Sequence, residues 1–425
     1  MNTGDIPPDF LKRLGRAARG IGAVALGIVA ARPFDELRAL LVQRQQDGTY
    51  PLFCQRDVVS RTDPERWLPG CRSVWVAAFA YAPPGAITSR RRPDQQGPRG
   101  RLAAYALPEE YHRHLHRRLR WLARWAARHS GRRRADFRVF VDTGPPVERD
   151  LWRRAGAGWI GKNTCAYAPG AGSWIVLGVV ATRLPLPEGA VPLPWERDLG
   201  TAPPVPVDPC RECDRCIRAC PTGALAPYRM QPERCIAQLS QRRGALSEAE
   251  RASLVHWLFG CDLCQMACPY NQEAQAPLAF GAGAALRPVR GTSPEVPLVD
   301  ILTMEPPAFR AGLGRGAVAW RGLSHLQRNA AYAAGVRLRR HAAARPASER
   351  ASGTGAGERS TYRALVEALA RLAASHPSPL VREASAWALA APRPPARWAD
   401  RRAASLCRTR PSAATSPPAS ARPDR

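Results

Sequence analysis

Hydrophobic and polar positions in the first half of the chain follow helical and strand-like patterns in turn. A helical pattern up to about Gly20 precedes an apolar segment at Ile21–Val29, which predicts a strand, and a helix over Phe34–Gln46 follows. Arg113–Arg134 is a further helical pattern, with apolar residues three or four positions apart. Three more apolar segments predict strands: Val74–Tyr81, Phe137–Val141 and Trp174–Val180. This alternation predicts an α/β fold over residues 1–200.

Prolines mark the end of this region. Leu184–Pro209 contains eight prolines, which indicates a linker and a domain boundary near residue 200. Residues 201–285 hold most of the cysteines and form a second predicted domain.

Short helical patterns follow in residues 286–391. Their apolar positions are Leu326, Ala330 and Ala333, then Leu365, Leu369 and Leu372, then Leu380, Ala384 and Trp387. Paired helices rich in alanine and leucine resemble one HEAT-type repeat, and a plain helical hairpin explains the same pattern. Residues 342–360 are low in complexity, and residues 392–425 lack periodic apolar positions, which predicts a disordered basic tail.

Composition excludes several classes of protein. Of the 425 residues, 45% are hydrophobic and 23% charged, the balance of a soluble globular protein. The longest apolar run, Gly20–Ala31, has twelve residues and is shorter than the ~20 that a membrane-spanning helix needs. It follows four basic residues, so a signal peptide is an alternative to a buried first strand. We expect a cytoplasmic protein with no membrane partner.

The net charge of +28 at pH 7 suggests a polyanionic partner. Only two basic residues are lysines, against sixty-one arginines, so part of this charge reflects a GC-rich coding bias. The densest patch, Arg113–Arg134, has nine arginines and no acidic residue. A solvated helix face and a face toward a polyanion explain this patch equally well.

Eight of the twelve cysteines lie between Cys210 and Cys268, which is typical of metal binding. The first four have the ferredoxin spacing Cys-x2-Cys-x2-Cys-x3-Cys-Pro, in which the last thiolate reaches the other of two 4Fe-4S clusters. The second group repeats this ending, but its leading residue, Cys235, lies far upstream. The crossover rule predicts one cluster on Cys210, Cys213, Cys216 and Cys268, and the other on Cys220, Cys235, Cys261 and Cys264. Two zinc sites are the alternative, although zinc ribbons use paired Cys-x2-Cys units.

Asp142 ends the strand at Phe137–Val141, directly before Thr-Gly-Pro-Pro. A carboxyl group at the end of a strand could donate a proton if burial raised its pKa. It could also be the N-cap of a helix that starts near Pro145. Downstream, Gly158 and Gly161 allow the backbone to approach a large flat ligand.

Five motifs in this chain resemble those of epoxyqueuosine reductases. They are Val-Asp142-Thr-Gly-Pro, Gly-Trp159-Ile-Gly-Lys162-Asn163-Thr, Gly-Ser173-Trp, Cys220-Pro-Thr-Gly-Ala and Phe-Gly-Cys261-Asp-Leu-Cys264-Gln-Met-Ala-Cys268-Pro-Tyr-Asn271. They occur in one order along the chain. The resemblance covers about residues 10 to 335 and continues more loosely to 391. It implies an α/β, nitroreductase-like cobalamin-binding domain, a ferredoxin-like two-cluster domain and a C-terminal helical HEAT-like segment.

The resemblance also implies a reaction. The family reduces epoxyqueuosine to queuosine at the wobble position of tRNA, and electrons pass from a low-potential donor through two 4Fe-4S clusters to cobalamin (vitamin B12). Asp142 matches the family's proton donor. The residues that match or resemble its cobalamin-binding positions are Arg61, Asp142, Asn163, Ser173 and Asp262. The helices around Gln327–Ala330 fall where longer members place a region that faces tRNA, and we expect a monomer with an unidentified electron donor.

Three segments depart from the family pattern, namely Gly48–Phe53, Leu102–His112 and Ile236–Ser240. Such changes suit a relative with another substrate, so a reductive dehalogenase-like enzyme is an alternative, although no twin-arginine export signal is evident. A ferredoxin-like electron carrier without turnover is a second alternative. It would need neither Asp142 nor the basic C-terminal helices.

The remaining cysteines and the histidines near residue 114 have no predicted chemical role. Cys54, Cys71, Cys165 and Cys407 are expected to be ordinary small side chains, with a cobalamin contact open for Cys165. His112, His114 and His116 alternate along a helix and are expected at the surface.

Overall fold

The structure is a computed structural model that describes residues 7–81, 98–193, 209–272, 286–344 and 356–390. The tail predicted for residues 392–425, Cys407 within it, and residues 194–208 of the predicted linker lie outside these ranges. In the described ranges, no helix has both the length and the apolar character needed to cross a membrane.

Five strands build the central sheet. They are β1 (Ala25–Ala30), β2 (Ser73–Ala80), β4 (Phe137–Phe140), β7 (Ile175–Thr182) and β8 (Gly189–Ala190). Their order is β4-β7-β2-β1-β8, and every neighbouring pair is antiparallel. The predicted strands are confirmed, but β1 starts four residues late. Gly22 has φ +84° and Ala23 N–H donates to the Ala18 carbonyl, so these residues end the preceding helix instead.

Helices cover both faces of the central sheet. They are α1 (Phe10–Gly20), α2 (Asp35–Gln46), α3 (Val58–Thr62), α4 (Pro64–Trp67), α5 (Tyr111–His129) and α6 (Glu148–Arg154). Side chains alternate along β2, so Val74 and Val76 pack with α2 and α6, whereas Trp75 and Ala77 pack with α1 and α5. The sheet is therefore the middle of three layers.

A smaller sheet connects distant parts of the chain. It consists of β3 (Arg99–Leu102), β11 (Trp257–Phe259) and β12 (Glu295–Pro297), with β3 in the middle. Leu102, Leu258 and Ile301 belong to the same buried core. Segments from all three predicted domains thus share one sheet and one core, and the predicted boundaries themselves stay a prediction.

Short elements surround the cysteines. The strands are β5 (Trp159–Ile160), β6 (Ala166–Tyr167), β9 (Leu225–Ala226) and β10 (Arg229–Met230). The helices are α7 (Arg215–Ala219), α8 (Ile236–Leu239), α9 (Glu248–Ser253), α10 (Leu263–Met266), α11 (Pro269–Gln272), α12 (Leu298–Leu302) and α13 (Pro306–Ala311).

Three longer helices follow at the C-terminal end. They are α14 (Leu323–Ala344), α15 (Ala356–Ser375) and α16 (Pro379–Leu389). Tyr332 of α14 and Trp387 of α16 pack edge to face, with ring centroids 5.6 Å apart. A Cβ on Gly335 would lie 2.6 Å from the Trp387 ring, so this glycine allows the two helices to approach closely.

The part of α14 expected to face tRNA is buried instead. Gln327, Arg328 and Asn329 are each less than 5% exposed. Arg328 donates to the Arg242 carbonyl at 2.8 Å, and Asn329 donates to the Leu258 carbonyl at 2.8 Å. These polar side chains therefore satisfy carbonyl groups inside the protein, as buried polar groups must.

Close packing at Gly27 of β1 yields a stability prediction. A Cβ there would lie 2.5 Å from Ala155 Cβ and 2.9 Å from Ala157 Cβ, so Gly27→Ala should overpack the core and lower the free energy of unfolding by about 1–3 kcal/mol. Gly20→Ala is the control, because no heavy atom lies within 4 Å of its Cβ position. Urea unfolding of both variants checks this, and equal stability would contradict the packing argument.

Candidate active site

Asp142 lies two residues beyond the end of β4, in a left-handed backbone conformation with φ +54°. Its N–H donates to Glu148 Oε1 at 2.6 Å, which attaches it to the first residue of α6. Such a conformation is strained for a non-glycine residue and is frequent at functional sites. The side chain is 58% exposed. Val147 is the N-cap of α6, so the alternative of an N-cap role for Asp142 is wrong.

The start of α5 supplies two partners for this carboxylate. The Tyr111 hydroxyl donates to Asp142 Oδ2 at 2.9 Å, and His112 Nε2 lies 3.1 Å from the same oxygen. On the other side of the ring, His112 Nδ1 lies 2.5 Å from Glu110 Oε1. His112 is therefore half-buried between two carboxylates and keeps 25% of its side chain exposed, so its expected position at the surface is met only in part.

These contacts determine where protons reside at neutral pH. Burial alone would lower the pKa of His112, but hydrogen bonds to Asp142 and Glu110 outweigh it and raise this pKa to about 9. The hydrogen bond from His112, assisted by one from Tyr111, lowers the pKa of Asp142. Burial and the Asp142 carboxylate raise the pKa of Glu148 to about 8. Asp142 is thus ionised beside a protonated His112. The sequence-based condition for proton donation, that burial raises the pKa of Asp142, is therefore not met.

Arg61, at the end of α3, contacts the loop that carries Asp142. It is 9% exposed, and its Nε donates to the Pro145 carbonyl at 3.3 Å. Its second contact is with the Tyr50 hydroxyl, at 2.8 Å. In the part of the chain that the structure describes, no carboxylate pairs with this guanidinium. A buried cation with neutral partners is suited to a ligand that carries negative charge or carbonyl groups.

Asn163 lies in the segment between β5 and β6. It is 3% exposed, its Nδ2 donates to the Tyr167 hydroxyl at 2.9 Å, and its Oδ1 accepts from Cys165 N–H at 3.2 Å. The Tyr167 hydroxyl also bonds Cys268. Asn163 therefore links this segment to one of the predicted cluster ligands.

Ser173 and Asp262 belong to one buried hydrogen-bond network. Ser173 Oγ donates to Gln265 Oε1 at 2.8 Å and accepts from Asn271 Nδ2 at 2.7 Å. Asp262 accepts from Gln265 Nε2 at 2.8 Å and from Ala104 N–H at 2.7 Å. Burial raises the pKa of Asp262 to about 6. The two residues thus meet through Gln265.

The structure brings together the first predicted set of cysteines. Burial and the neighbouring Cys268, Cys210 and Cys213 thiols raise the pKa of Cys216 to about 11. Lys162 N–H donates to Cys210 Sγ at 3.4 Å. The crossover residue Cys268 is therefore placed with the first set.

The second set is also close in space. Burial and the neighbouring Cys235 and Cys220 thiols raise the pKa of Cys261. Cys165 hydrogen-bonds Cys264, and this contact, with burial and nearby Cys261 and Cys235, raises the pKa of Cys264. Within the described ranges, no three Cys, His, Asp or Glu side chains are placed to hold a single metal ion. Ligation of clusters by the eight thiols stays a prediction.

Sequence reasoning missed three contributors to this site. Glu110 and His112 stand in a segment noted as a departure from a family pattern, and His112 was expected to be an ordinary surface histidine. A carboxylate and an imidazole two residues apart at a helix start nevertheless signal an acid–base pair. Cys165 was expected to be an ordinary small side chain, yet it bonds Cys264. No local pattern could reveal that contact, because it joins residues about a hundred positions apart.

Two protein-family models match the chain. Residues 61–143 match the family described as Epoxyqueuosine reductase QueG, DUF1730, and residues 209–271 match the 4Fe-4S double cluster binding domain.

Curated relatives match over most of the chain. The epoxyqueuosine reductase of Burkholderia pseudomallei is 35% identical over 404 residues, which cover 90% of this chain and 92% of the relative. The epoxyqueuosine reductase of Bacillus cereus is 31% identical over 318 residues, which cover 74% of this chain and 77% of the relative.

Solved structures are also similar to this chain over most of its length. An epoxyqueuosine reductase with an epoxyqueuosine-modified tRNA-Tyr stem loop has a TM-score of 0.71 at 26% identity, covering 89% of this chain and 88% of that chain. The Bacillus subtilis enzyme, with its catalytic aspartate loop swung out of the active site, has a TM-score of 0.71 at 25% identity and the same coverage.

The contacts of His112 predict a pH dependence. Since the folded state raises its pKa from 6.5 to about 9, its ion pairs should stabilise the protein fully below about pH 6.5 and lose this effect as the pH rises through 9. Histidine NMR titration should show the high pKa in the wild type and a lower one in Asp142→Asn, which loses the hydrogen-bonded charge. His256, whose pKa is lowered by burial and by nearby arginines, is the internal control and should stay neutral in both proteins over the same pH range. An unchanged His112 pKa in Asp142→Asn would contradict the pairing.

Proposed function

This chain belongs to the epoxyqueuosine reductase family, and we propose that it reduces epoxyqueuosine to queuosine at the wobble position of tRNA. The relative of known structure that holds a modified tRNA stem loop supports this substrate. We therefore prefer a reductase enzyme to the alternative hypothesis of an electron carrier without turnover.

The observation that carries the proposal is that the acid–base cluster and both cysteine sets meet at one segment. Arg149 of α6, seven residues after Asp142, donates to the Thr164 carbonyl at 2.8 Å. The neighbours of Thr164 in sequence reach the thiols, since Lys162 bonds Cys210 and Cys165 bonds Cys264. Electrons and protons can therefore reach a substrate from adjoining parts of the protein.

The double-cluster domain binds two 4Fe-4S clusters. We assign the first to Cys210, Cys213, Cys216 and Cys268, and the second to Cys220, Cys235, Cys261 and Cys264. The grouping of the thiols in space supports this assignment.

The family is cobalamin-dependent, and residues of this chain fit such a group. Trp159 Nε1 is buried with no hydrogen-bond partner among the described residues, and the buried Arg61 has only neutral partners. Bound there, cobalamin would deliver the electrons to the epoxide. We assign contacts with it to Arg61 and Asp142, and walls of its pocket to Asn163, Ser173 and Asp262.

Conversion of an epoxide to an alkene consumes two electrons and two protons and releases water. Asp142 is the exposed member of the acid–base cluster, so it is placed to pass a proton to the epoxide oxygen. Because Asp142 is itself ionised at neutral pH, this proton comes from the protonated His112 across the 3.1 Å contact, and solvent supplies the second proton of the released water. The pair thus acts as one proton source with a shared titration.

Asp142→Ala should reduce turnover by about 10²–10⁴-fold, the usual contribution of a general acid, while bound cobalamin and iron are retained. Nucleoside mass spectrometry on epoxyqueuosine-containing tRNA, after anaerobic incubation with loaded protein and a strong reductant, measures this. Asp35→Ala, which removes an exposed carboxylate on α2, should keep wild-type turnover. No conversion by the loaded wild type would reject the proposed substrate.

Anaerobically prepared protein should contain about eight irons, as two 4Fe-4S clusters require. Cys213→Ala should lose iron from one cluster only, so at least four irons should remain. Cys54→Ala should retain all of them, because Cys54 lies outside both thiol sets. Metal analysis with electron paramagnetic resonance distinguishes these cases, and zinc in place of iron would overturn the assignment.

A further inference from the structure

One face of α5 forms a groove lined by basic residues. His112, Arg113, His116, Arg117, Arg120 and Arg124 line a cavity of about 430 Å³. Arg120 and Arg124 also line a second cavity of about 430 Å³, together with Arg134 and Arg138. The two cavities share Arg120 and Arg124, so they adjoin, and among the described residues no acidic side chain lines either of them. Together they form the groove.

Some arginines on other helices of the described chain have a carboxylate partner close by in sequence. Arg153, Arg218 and Arg363 each pair with a carboxylate three or four positions away. Among the residues that the structure describes, Arg117, Arg120 and Arg124 form no such ion pair, and each is exposed. What distinguishes the groove is that several such arginines lie together on one helix face. Unpaired like charges repel one another, which favours a polyanionic partner.

The groove starts at the acid–base cluster. His112 lines its first cavity, and His112 Nε2 is 3.1 Å from Asp142 Oδ2. From Arg113 to Arg124 the helix advances about 16 Å, a length over which a nucleic acid backbone presents several phosphates. A nucleic acid whose reactive base lies at Asp142 could therefore lay its backbone along α5.

We propose that Arg113, Arg117, Arg120 and Arg124 bind backbone phosphates of the RNA whose modified base reacts at Asp142. This inference rests on the proposed function for the identity of that base. It places an RNA contact on the α/β part of the chain, whereas the expected contact at Gln327–Ala330 is buried. The arginines touch phosphates rather than reacting atoms, so their role is in binding.

Salt dependence of RNA binding tests the proposal. The probe is a fluorescently labelled synthetic anticodon stem loop without the modified base, and its affinity for the full-length holoenzyme is measured by anisotropy over a range of salt concentrations. Each lost phosphate contact lowers the slope of log affinity against log salt by roughly 0.7–0.9. Arg120→Ala/Arg124→Ala should therefore reduce the slope by about 1.5 and weaken binding. Arg120→Lys/Arg124→Lys should retain most of the slope, since the charge is kept.

The matched control removes the same charge elsewhere. Arg32→Ala/Arg38→Ala changes residues beside and on α2, which covers the opposite face of the central sheet, and should leave the slope unchanged. Equal losses in both double variants would mean a general effect of net charge and would overturn the proposal. An unchanged slope in Arg120→Ala/Arg124→Ala, with folding verified by circular dichroism, would also overturn it.

Turnover separates this inference from the proposed function. Over a range of modified-tRNA concentrations, Arg120→Ala/Arg124→Ala should show a raised KM and a nearly wild-type kcat. A lowered kcat with unchanged RNA affinity would contradict a binding role. RNA binding needs no reductant and no modified base, so a wild type that binds through the groove without converting epoxyqueuosine would reject only the proposed function.

Discussion

The segment Gly158–Cys165 is held on several sides, and the arrangement of the whole site depends on it. Lys162 N–H reaches Cys210, Asn163 holds the Tyr167 hydroxyl beside Cys268, and Cys165 bonds Cys264. Thr164 has φ +64°, a strained conformation that persists only where surrounding contacts over-determine it. Gly158 is needed as well, because a Cβ there would lie 2.0 Å from the Tyr167 carbonyl. A change that relaxed this segment would move both thiol sets relative to Asp142.

The site is rich in carboxyl groups, although the chain as a whole is strongly basic. In a protein with a net charge of +28, Glu110, Asp142 and Glu148 gather around one histidine. The Asp142 carboxylate helps to raise the pKa of Glu148 and of His112, which favours the protonated form of both neighbours. A carboxylate with a lowered pKa thus lies beside two groups whose pKa values it raises.

Cysteine spacing predicted the pairing of Cys268 with the first thiol set, because cluster ligation imposes a fixed local pattern. The strands could also be predicted from the sequence, because residues buried in a sheet form apolar runs such as Val74–Tyr81. The sequence could not predict the antiparallel strand order or the contact between Cys165 and Cys264. Both depend on long-range packing, which no local periodicity encodes. Similarly, Asp142 was found from its position after a strand, whereas its pKa depends on His112, thirty residues earlier.

Residues 99–112 explain why the acid–base cluster and the cysteines keep one geometry. β3 pairs with β11, which ends two residues before Cys261, and Ala104 N–H then donates to Asp262 at 2.7 Å. The same stretch continues to Glu110, whose N–H donates to the Arg315 carbonyl, and then to His112. Each of these contacts is made by a backbone hydrogen bond or a buried side chain. Breaking one would leave polar groups without hydrogen-bond partners and would lower the free energy of unfolding. The acid–base cluster and the second thiol set are therefore positioned by one continuous piece of chain.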